Sequence, residues 1–333
     1  MMNRMYQALK ASRSTFVPIR HLSYHVRQWG EPVPGQAPLV LVHGWMDVSA
    51  SWQFMVDALK ADRWIVAPDW RGFGLTKARI GAGPPQTDAS PLGGQRAHEV
   101  ASVGATCPAP DSYWFPDYLA DLDALLDHFA GEQPVDLVGH SMGGNVVMMY
   151  GGVRPLRIRR LVNLEGFGLP ATRPAQAPER YAKWMDEIKA LHRGEMDLKG
   201  YDSADGVARR LMKTNPRLPQ AKADWLAQHW AAPDAQGRWQ ILGDVAHKVV
   251  SAHLYQVEEA QAIYSRISAP VLSVTASDDS LSQWWKGQFT LAQYLERLQA
   301  VPSLQSAVVQ DAAHMLHHDQ PEELARLIEN FLI

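Results

Sequence analysis

The hexapeptide GHSMGG at residues 139–144 constrains this chain more than any other stretch. An apolar run at 135–138 precedes it and a helix-like apolar segment at 145–150 follows it, which predicts a strand, a tight turn and a helix. Ser141 stands at the tip of the turn, and the glycines two positions away on either side leave room for a strained backbone. Its hydroxyl would lie at a helix N-terminus, where free N–H groups favour developing negative charge. Ser141 is therefore a candidate nucleophile.

Short apolar runs alternate with longer amphipathic segments along most of the chain. This alternation predicts an α/β protein with a parallel sheet and right-handed crossovers. Two segments near the start alternate in polarity and predict an antiparallel hairpin at one sheet edge. The predicted strands are 15–19, 22–27, 38–42, 64–67, 135–138, 160–164, 271–274 and 307–309, and the predicted helices between and after them are 52–59, 118–129 and 321–332.

Two segments interrupt the alternation. Between about 167 and 265 the sequence turns to helical stretches rich in Ala, Leu, Met and Trp, which predicts a helical cap subdomain over a core formed by 1–166 and 266–333. Between 78 and 111 Gly, Pro, Ala, Ser and Thr dominate and no periodicity remains. We expect a long flexible insertion loop there, either a disordered segment or a functional lid.

Composition narrows the class of partner. The chain has 32 basic against 35 acidic residues, a formal net charge of -3, and no basic run of the kind that follows a phosphate backbone. Nucleic acid is therefore not an expected partner. Cys107 is the single cysteine, so no intramolecular disulfide can form, and no run approaches the roughly 20 apolar residues of a membrane span. We expect a cytoplasmic protein without a membrane span, and the sequence leaves its oligomeric state open.

A serine nucleophile needs an oxyanion hole, and the first strand after the hairpin supplies a candidate. That strand ends in the segment HGWMD at 43–47, where Gly44 frees the backbone to bring an N–H group toward the nucleophile. We expect the N–H groups of Trp45 and Met142 to form the pair of oxyanion donors. The alternative for this segment is an ordinary glycine turn with a structural His43.

The last predicted strand supplies the candidate base. His314 follows it at the carboxyl edge of the sheet, where one ring nitrogen would reach Ser141 while an acid orients the other. His317 and His318 follow one turn later. The three imidazoles at helical spacing also suit a metal, but no carboxylate or cysteine motif of known spacing accompanies them, and no metal site is expected.

Two positions compete for the triad acid. Asp278 and Asp279 follow the strand 271–274, and Asp279 has the better register. Glu165 follows the strand 160–164 and would approach the same histidine from the neighbouring position. The order serine, acid, histidine holds with either residue. We prefer Asp279 and keep Glu165 as the alternative.

Four motifs together indicate a family. They are HGW at 43–45, DWRGFG at 69–74, GHSMGG at 139–144 and Ala313-His314. With these motifs the chain resembles the α/β-hydrolase family over nearly its whole length, and within it the capped serine-hydrolase-like group. The resemblance implies a mostly parallel eight-stranded sheet flanked by helices, with the helical cap inserted after the sixth strand.

The resemblance also implies a chemistry, a serine esterase with an acyl-enzyme intermediate. Ser141 would attack an acyl carbon, His314 would move the proton, and the acid would stabilise the imidazolium. Neither a metal nor an organic cofactor is implied. The expected partner is a small apolar ester or a related acyl compound, and the expected substrate contacts are Trp45, His140, Phe167, Trp184 and Trp284.

Other functions remain open at this point. A carbon–carbon bond hydrolase and a lactonase would use the same fold and triad. A ligand-binding protein without catalysis is the alternative of another class, but such a protein does not need the complete triad that this sequence offers.

Overall fold

The computed structural model describes residues 6–79 and 110–333. Most of the expected loop 78–111 therefore lies outside the described residues. Within them, nine strands form one mixed sheet. The strands are β1 (Arg13–Ile19), β2 (Leu22–Trp29), β3 (Leu39–Val42), β4 (Ile65–Pro68), β5 (Lys77–Ala78), β6 (Val135–His140), β7 (Ile158–Leu164), β10 (Val271–Ala276) and β11 (Leu304–Val309). Eight of them follow a single path in the order β1-β2-β4-β3-β6-β7-β10-β11, and the ninth, β5, pairs with β2.

The central strands are parallel, and the predicted hairpin opens the sheet. β1 pairs antiparallel with β2, which in turn pairs antiparallel with β4. From β4 through β3, β6, β7 and β10 to β11, each pairing is parallel. The carboxyl ends of these six strands therefore meet at one edge of the sheet.

Helices cover both faces of the sheet because the buried strands carry apolar side chains on both sides. In β3, Val40 and Val42 face one core cluster, whereas Leu39 and Leu41 face the other. This alternation follows from the two-residue period of a strand. The helices are α1 (Gln53–Ala58), α2 (Phe115–Ala130), α3 (Met142–Val153), α8 (Ser280–Trp285), α9 (Leu291–Leu298), α10 (Leu316–Asp319) and α11 (Pro321–Leu332).

The chain between β7 and β10 contains four more helices, in agreement with the helical pattern of the sequence. They are α4 (Ala177–His192), α5 (Ala204–Thr214), α6 (Gln220–Trp230) and α7 (Val257–Tyr264). A two-stranded hairpin, β8 (Ala231–Pro233) with β9 (Trp239–Ile241), follows α6 and was not predicted. Val207 of α5 and Leu226 of α6 pack in one cluster with Phe54 of α1. The boundaries 167–265 of a cap subdomain stay a prediction.

Among residues 6–79 and 110–333, no helix combines the length and apolar character that crossing a bilayer requires.

Candidate active site

Ser141 occupies a sharp turn between β6 and α3. Its backbone has φ 54° and ψ −116°, a conformation that L-residues rarely adopt. A Cβ added at Gly139 would lie 2.3 Å from the carbonyl oxygen of Gly143, and one added at Gly143 would lie 2.4 Å from the carbonyl oxygen of Val42. Both positions therefore require glycine. The turn leaves Ser141 partly exposed at the carboxyl edge of the sheet.

Two backbone N–H groups adjoin Ser141. Met142 is the first residue of α3, so its N–H has no acceptor within the helix. The N–H of Trp45 donates no hydrogen bond within the described parts of the chain. Gly44 lies directly against the nucleophile, because a Cβ added there would stand 3.0 Å from the Cβ of Ser141. These positions fit the expected pair of oxyanion donors.

His43 fixes the peptide that carries the second donor. Its Nδ1 donates to the carbonyl of Gly44 at 2.7 Å, and its Nε2 accepts from the N–H of Trp70 at 2.9 Å. Because the C=O and N–H of a trans peptide point in opposite directions, holding the Gly44 carbonyl also sets the direction of the Trp45 N–H. Burial lowers the pKa of His43 to about 4, so the ring stays neutral and can accept at Nε2. Sequence patterns alone indicated no functional role for His43 beyond its place in a glycine turn.

Glu165, which is buried, pairs with His314, whose side chain is 18% exposed. Nδ1 of His314 lies 3.1 Å from Oε2 of Glu165, and the other carboxylate oxygen accepts from the N–H of Ala276 at 2.8 Å. The Glu165 side chain is 1% exposed, so protein groups rather than solvent surround its carboxylate. With Nδ1 donating to the carboxylate, Nε2 of His314 carries the lone pair that a general base needs.

Burial favours the neutral form of each member of this pair. Burial raises the pKa of Glu165 to about 7, against a lowering by the Ala276 N–H, and the charge of Asp279 adds to the rise. Burial lowers the pKa of His314 to about 3. The imidazole is therefore neutral at neutral pH, and the lone pair on Nε2 is unprotonated.

Asp279, the preferred acid, lies elsewhere. Its carboxylate caps α8 by accepting from the N–H and the hydroxyl of Ser282 at 2.9 and 2.6 Å, and the residue is exposed. Asp278 pairs with Arg217 at 2.9 Å. The reason is local: α8 begins directly after β10, so the aspartate satisfies the free N–H groups of that helix. The structure brings His314 together with the alternative residue, Glu165.

Backbone strain is concentrated around the same residues. Six described non-glycine residues have positive φ, and Met46, Ser141 and Glu165 are three of them. They follow β3, β6 and β7, which are adjacent strands of the sheet. Such strain persists only where surrounding contacts hold it, and it is frequent at active sites.

A cavity of about 910 Å³ opens next to Ser141 and Glu165. Three of the expected substrate contacts, Trp45, Phe167 and Trp284, line it, and the ring of Trp284 lies 4.2 Å from that of His314. The sequence missed several further aromatic residues of the lining. They are Tyr113, Trp114, Phe115, Tyr118, Tyr181, Tyr255 and Tyr264.

Two expected substrate contacts do not line this cavity. Trp184 lies about one turn along α4 from Arg180 and Tyr181, which line the cavity, but Trp184 itself does not. His140 is 2% exposed and lies behind the nucleophile, with Nε2 donating to the carbonyl of His314 at 2.7 Å. The lining of this cavity therefore does not include Trp184 and His140, which the sequence placed among the substrate contacts.

Comparison with known proteins places the chain in a family. The family model of the α/β hydrolase fold matches residues 37–321, and the chain belongs to this family. The expected fold is thereby confirmed.

Individual relatives are distant. A serine hydrolase-like protein of Danio rerio is 24% identical over 310 residues, which cover 91% of this chain and 83% of that protein. A 2-hydroxy-6-oxo-2,4-heptadienoate hydrolase of Pseudomonas putida is 30% identical over 229 residues, which cover 65% of this chain and 70% of that protein. The structure of a thioesterase domain from the curacin biosynthetic pathway superposes with a TM-score of 0.74 at 19% identity, covering 96% of this chain and 99% of that chain.

Proposed function

We propose that this protein is a serine hydrolase that cleaves an ester through a triad of Ser141, His314 and Glu165. The observation that carries the proposal is the orientation of His314. Glu165 accepts from one ring nitrogen at 3.1 Å and is itself held by the Ala276 N–H, so the other nitrogen is free for a proton from Ser141. The carbonyl of His314 also accepts a hydrogen bond from His140, the residue before the nucleophile.

These positions support a reaction in two steps. As the Ser141 oxygen attacks the acyl carbon, its proton passes to Nε2 of His314, and the N–H groups of Trp45 and Met142 hold the oxyanion. His314 then returns the proton to the leaving alcohol, and the acyl group stays on the serine. A water molecule, deprotonated by the same ring, hydrolyses the acyl-enzyme and regenerates Ser141. Glu165 stabilises the imidazolium in both steps.

The lining of the cavity supports an apolar acyl substrate. A space of about 910 Å³ lined largely by aromatic and other apolar side chains favours a bulky substrate over acetate-sized groups. Several lining residues lie between 167 and 265, and we propose that this segment acts as a cap over the nucleophile. The names of the relatives, a serine hydrolase-like protein and a thioesterase domain, fit hydrolysis of an acyl bond.

A carbon–carbon bond hydrolase is the second candidate. The relative named 2-hydroxy-6-oxo-2,4-heptadienoate hydrolase favours it, since such a compound carries a carboxylate. Arg180 places a cation in the cavity lining, and it forms no salt bridge within the described residues. A substrate carboxylate would pair with this guanidinium.

Substrate profiling of the wild type and Ser141→Ala tests the proposal. We expect turnover of p-nitrophenyl esters, with greater kcat/KM for longer acyl chains than for acetate, and loss of turnover in the variant without a lower melting temperature. Unchanged turnover in Ser141→Ala would contradict the nucleophile. The second candidate, the carbon–carbon bond hydrolase, would be favoured if the protein turned over only a vinylogous diketone acid and Arg180→Gln abolished that turnover.

A further inference from the structure

A buried group of three potential metal ligands lies behind the proposed active site. Asp47, His140 and His317 each bring one ligand atom to within 4.8 Å of the others. The three residues are 6%, 2% and 0% exposed. No step of the proposed hydrolysis uses their side chains as acids, bases or nucleophiles.

Each of these side chains has a polar atom without a hydrogen-bond partner among the described residues. The atoms are Oδ2 of Asp47, Nδ1 of His140 and Nδ1 of His317. The second oxygen of Asp47 is engaged, because it accepts from the N–H of Val48 at 2.9 Å. Buried polar atoms without partners are rare in native proteins, because each costs about 1–3 kcal/mol. His317 turns its other ring nitrogen, Nε2, toward Asp47. The two partnerless atoms that belong to the group, on Asp47 and His140, therefore indicate an occupant.

The tautomer of His140 suits a metal ligand. Its Nε2 donates to the carbonyl of His314 at 2.7 Å, which leaves a lone pair on Nδ1. Histidines that bind metals commonly donate their other ring N–H to a backbone carbonyl in this way. Gly44 keeps the space beside that lone pair open, because a Cβ there would lie 3.1 Å from Nδ1.

From this geometry we propose that Asp47, His140 and His317 form a binding site for a divalent transition-metal ion, with Zn²⁺ as the ion that fits best. Two imidazole nitrogens and one carboxylate oxygen are ligands that Zn²⁺ accepts, whereas Mg²⁺ and Ca²⁺ prefer oxygen alone. Nε2 of His317 lies 4.0 Å from Oδ2 of Asp47 and has a long contact of 3.4 Å with the hydroxyl of Ser51, which lies closer to His318 at 2.6 Å. A metal ion would replace that long contact, and small side-chain movements bring the donors to the spacing of ligands around one ion. The set differs from the run His314, His317 and His318, for which the sequence predicted no metal site, and only His317 belongs to both.

Occupancy of the site would reduce turnover, a consequence that rests on the proposed function. The His140 ring lies 4.7 Å from the ring of His314, which gains positive charge as it takes the serine proton. A Zn²⁺ ion with one carboxylate ligand leaves a net positive charge nearby and opposes that step. At an effective dielectric constant of about 20, one net charge about 6 Å from the ring costs on the order of 100-fold in kcat.

Equilibrium dialysis of the chelator-treated full chain against Zn²⁺, read by mass spectrometry of the metal, tests binding. We expect about one equivalent in the wild type and at least tenfold weaker binding in Asp47→Asn and in His317→Leu. Asp47→Asn keeps an acceptor for Val48, which favours normal folding. His192→Gln is the matched control, because it removes an exposed histidine paired with Asp111 at 2.7 Å.

X-ray absorption of the wild-type Zn²⁺ complex supplies a second measurement that needs no variant. We expect two imidazole ligands with nitrogen and oxygen donors at about 2.0 Å. Absence of uptake, uptake unchanged in both variants, sulfur scattering from Cys107, or three imidazoles would each overturn the proposal. Both measurements detect metal binding directly, so their results do not depend on whether Ser141 is catalytic.

Discussion

Replacing Glu165 with glutamine is the substitution whose effect the structure defines best. In the wild type, one carboxylate oxygen accepts from the N–H of Ala276 at 2.8 Å and the other faces Nδ1 of His314 at 3.1 Å. A glutamine must turn its oxygen toward the Ala276 N–H, so its NH₂ group faces His314. That donor requires a lone pair on Nδ1, and the ring proton moves to Nε2.

The altered tautomer blocks the proposed proton transfer. With a proton on Nε2, His314 no longer accepts from Ser141, and the carboxylate charge that stabilises the imidazolium is also lost. The corresponding change in serine proteases lowers kcat by about 10⁴, and we expect a loss on the order of 10³ to 10⁴ here, about 4–5 kcal/mol. The fold should be unaffected, because the glutamine keeps the shape and both contacts.

Asp279→Asn is the matched control. Asparagine caps a helix about as well as aspartate, so the bonds to Ser282 are largely kept and kcat should change by no more than about threefold. Both variants are assayed by initial rates on one p-nitrophenyl ester, with circular dichroism to verify folding. A large loss in Asp279→Asn beside near-normal turnover in Glu165→Gln would refute the reasoning and return the acid to Asp279.

Two further predictions concern the surroundings of the site. Gly44→Ala should lower kcat/KM by about 10- to 100-fold, because the new Cβ would lie 3.0 Å from the Cβ of Ser141. Gly243→Ala is the control and should leave kcat/KM near normal, because the nearest atom to its new Cβ lies at 3.5 Å. Equal rates in the two variants would contradict this prediction. For Asp69, burial raises the pKa, but the hydrogen bond and charge of His25 outweigh it and lower the pKa to about 2. Since the pKa of Asp69 in the folded protein lies below its unfolded value, the ionised carboxylate stabilises the folded state above about pH 4. This contribution is lost as the pH falls through about 2. We expect Asp69→Asn to cost about 2 kcal/mol in urea unfolding at pH 7 and less near pH 2, and a cost independent of pH would contradict the assignment.

The sequence predicted the elements that carry strong local patterns. The helix expected at 321–332 is α11 (Pro321–Leu332), because proline favours the first turn and the apolar residues recur at helical spacing. The turn around Ser141 was predicted for a similar reason, since glycines at fixed offsets are needed on both sides of it. The hairpin of β8 and β9 was missed, because strands of three residues show too little alternation to be recognised.

The partner of His314 could not be read from local patterns. Asp279 and Glu165 both follow strands that end at the same edge of the sheet, and both fit the order of the triad. Their hydrogen bonds distinguish them. The carboxylate of Asp279 caps the N-terminus of α8, whereas the carboxylate of Glu165 accepts from the N–H of Ala276. The group of Asp47, His140 and His317 depends on contacts between distant parts of the chain, and no spacing in the sequence indicates it.

Labelling with a fluorophosphonate tests the central claim most directly, because the reagent forms a covalent bond only with an activated serine. We expect the intact mass of the folded protein to rise by one adduct, peptide mapping to locate that adduct on Ser141, and Ser141→Ala to remain unlabelled. Glu165→Gln should label much more slowly than Asp279→Asn. A folded protein that takes no adduct, or takes it on another residue, would contradict the assignment of Ser141 as the nucleophile.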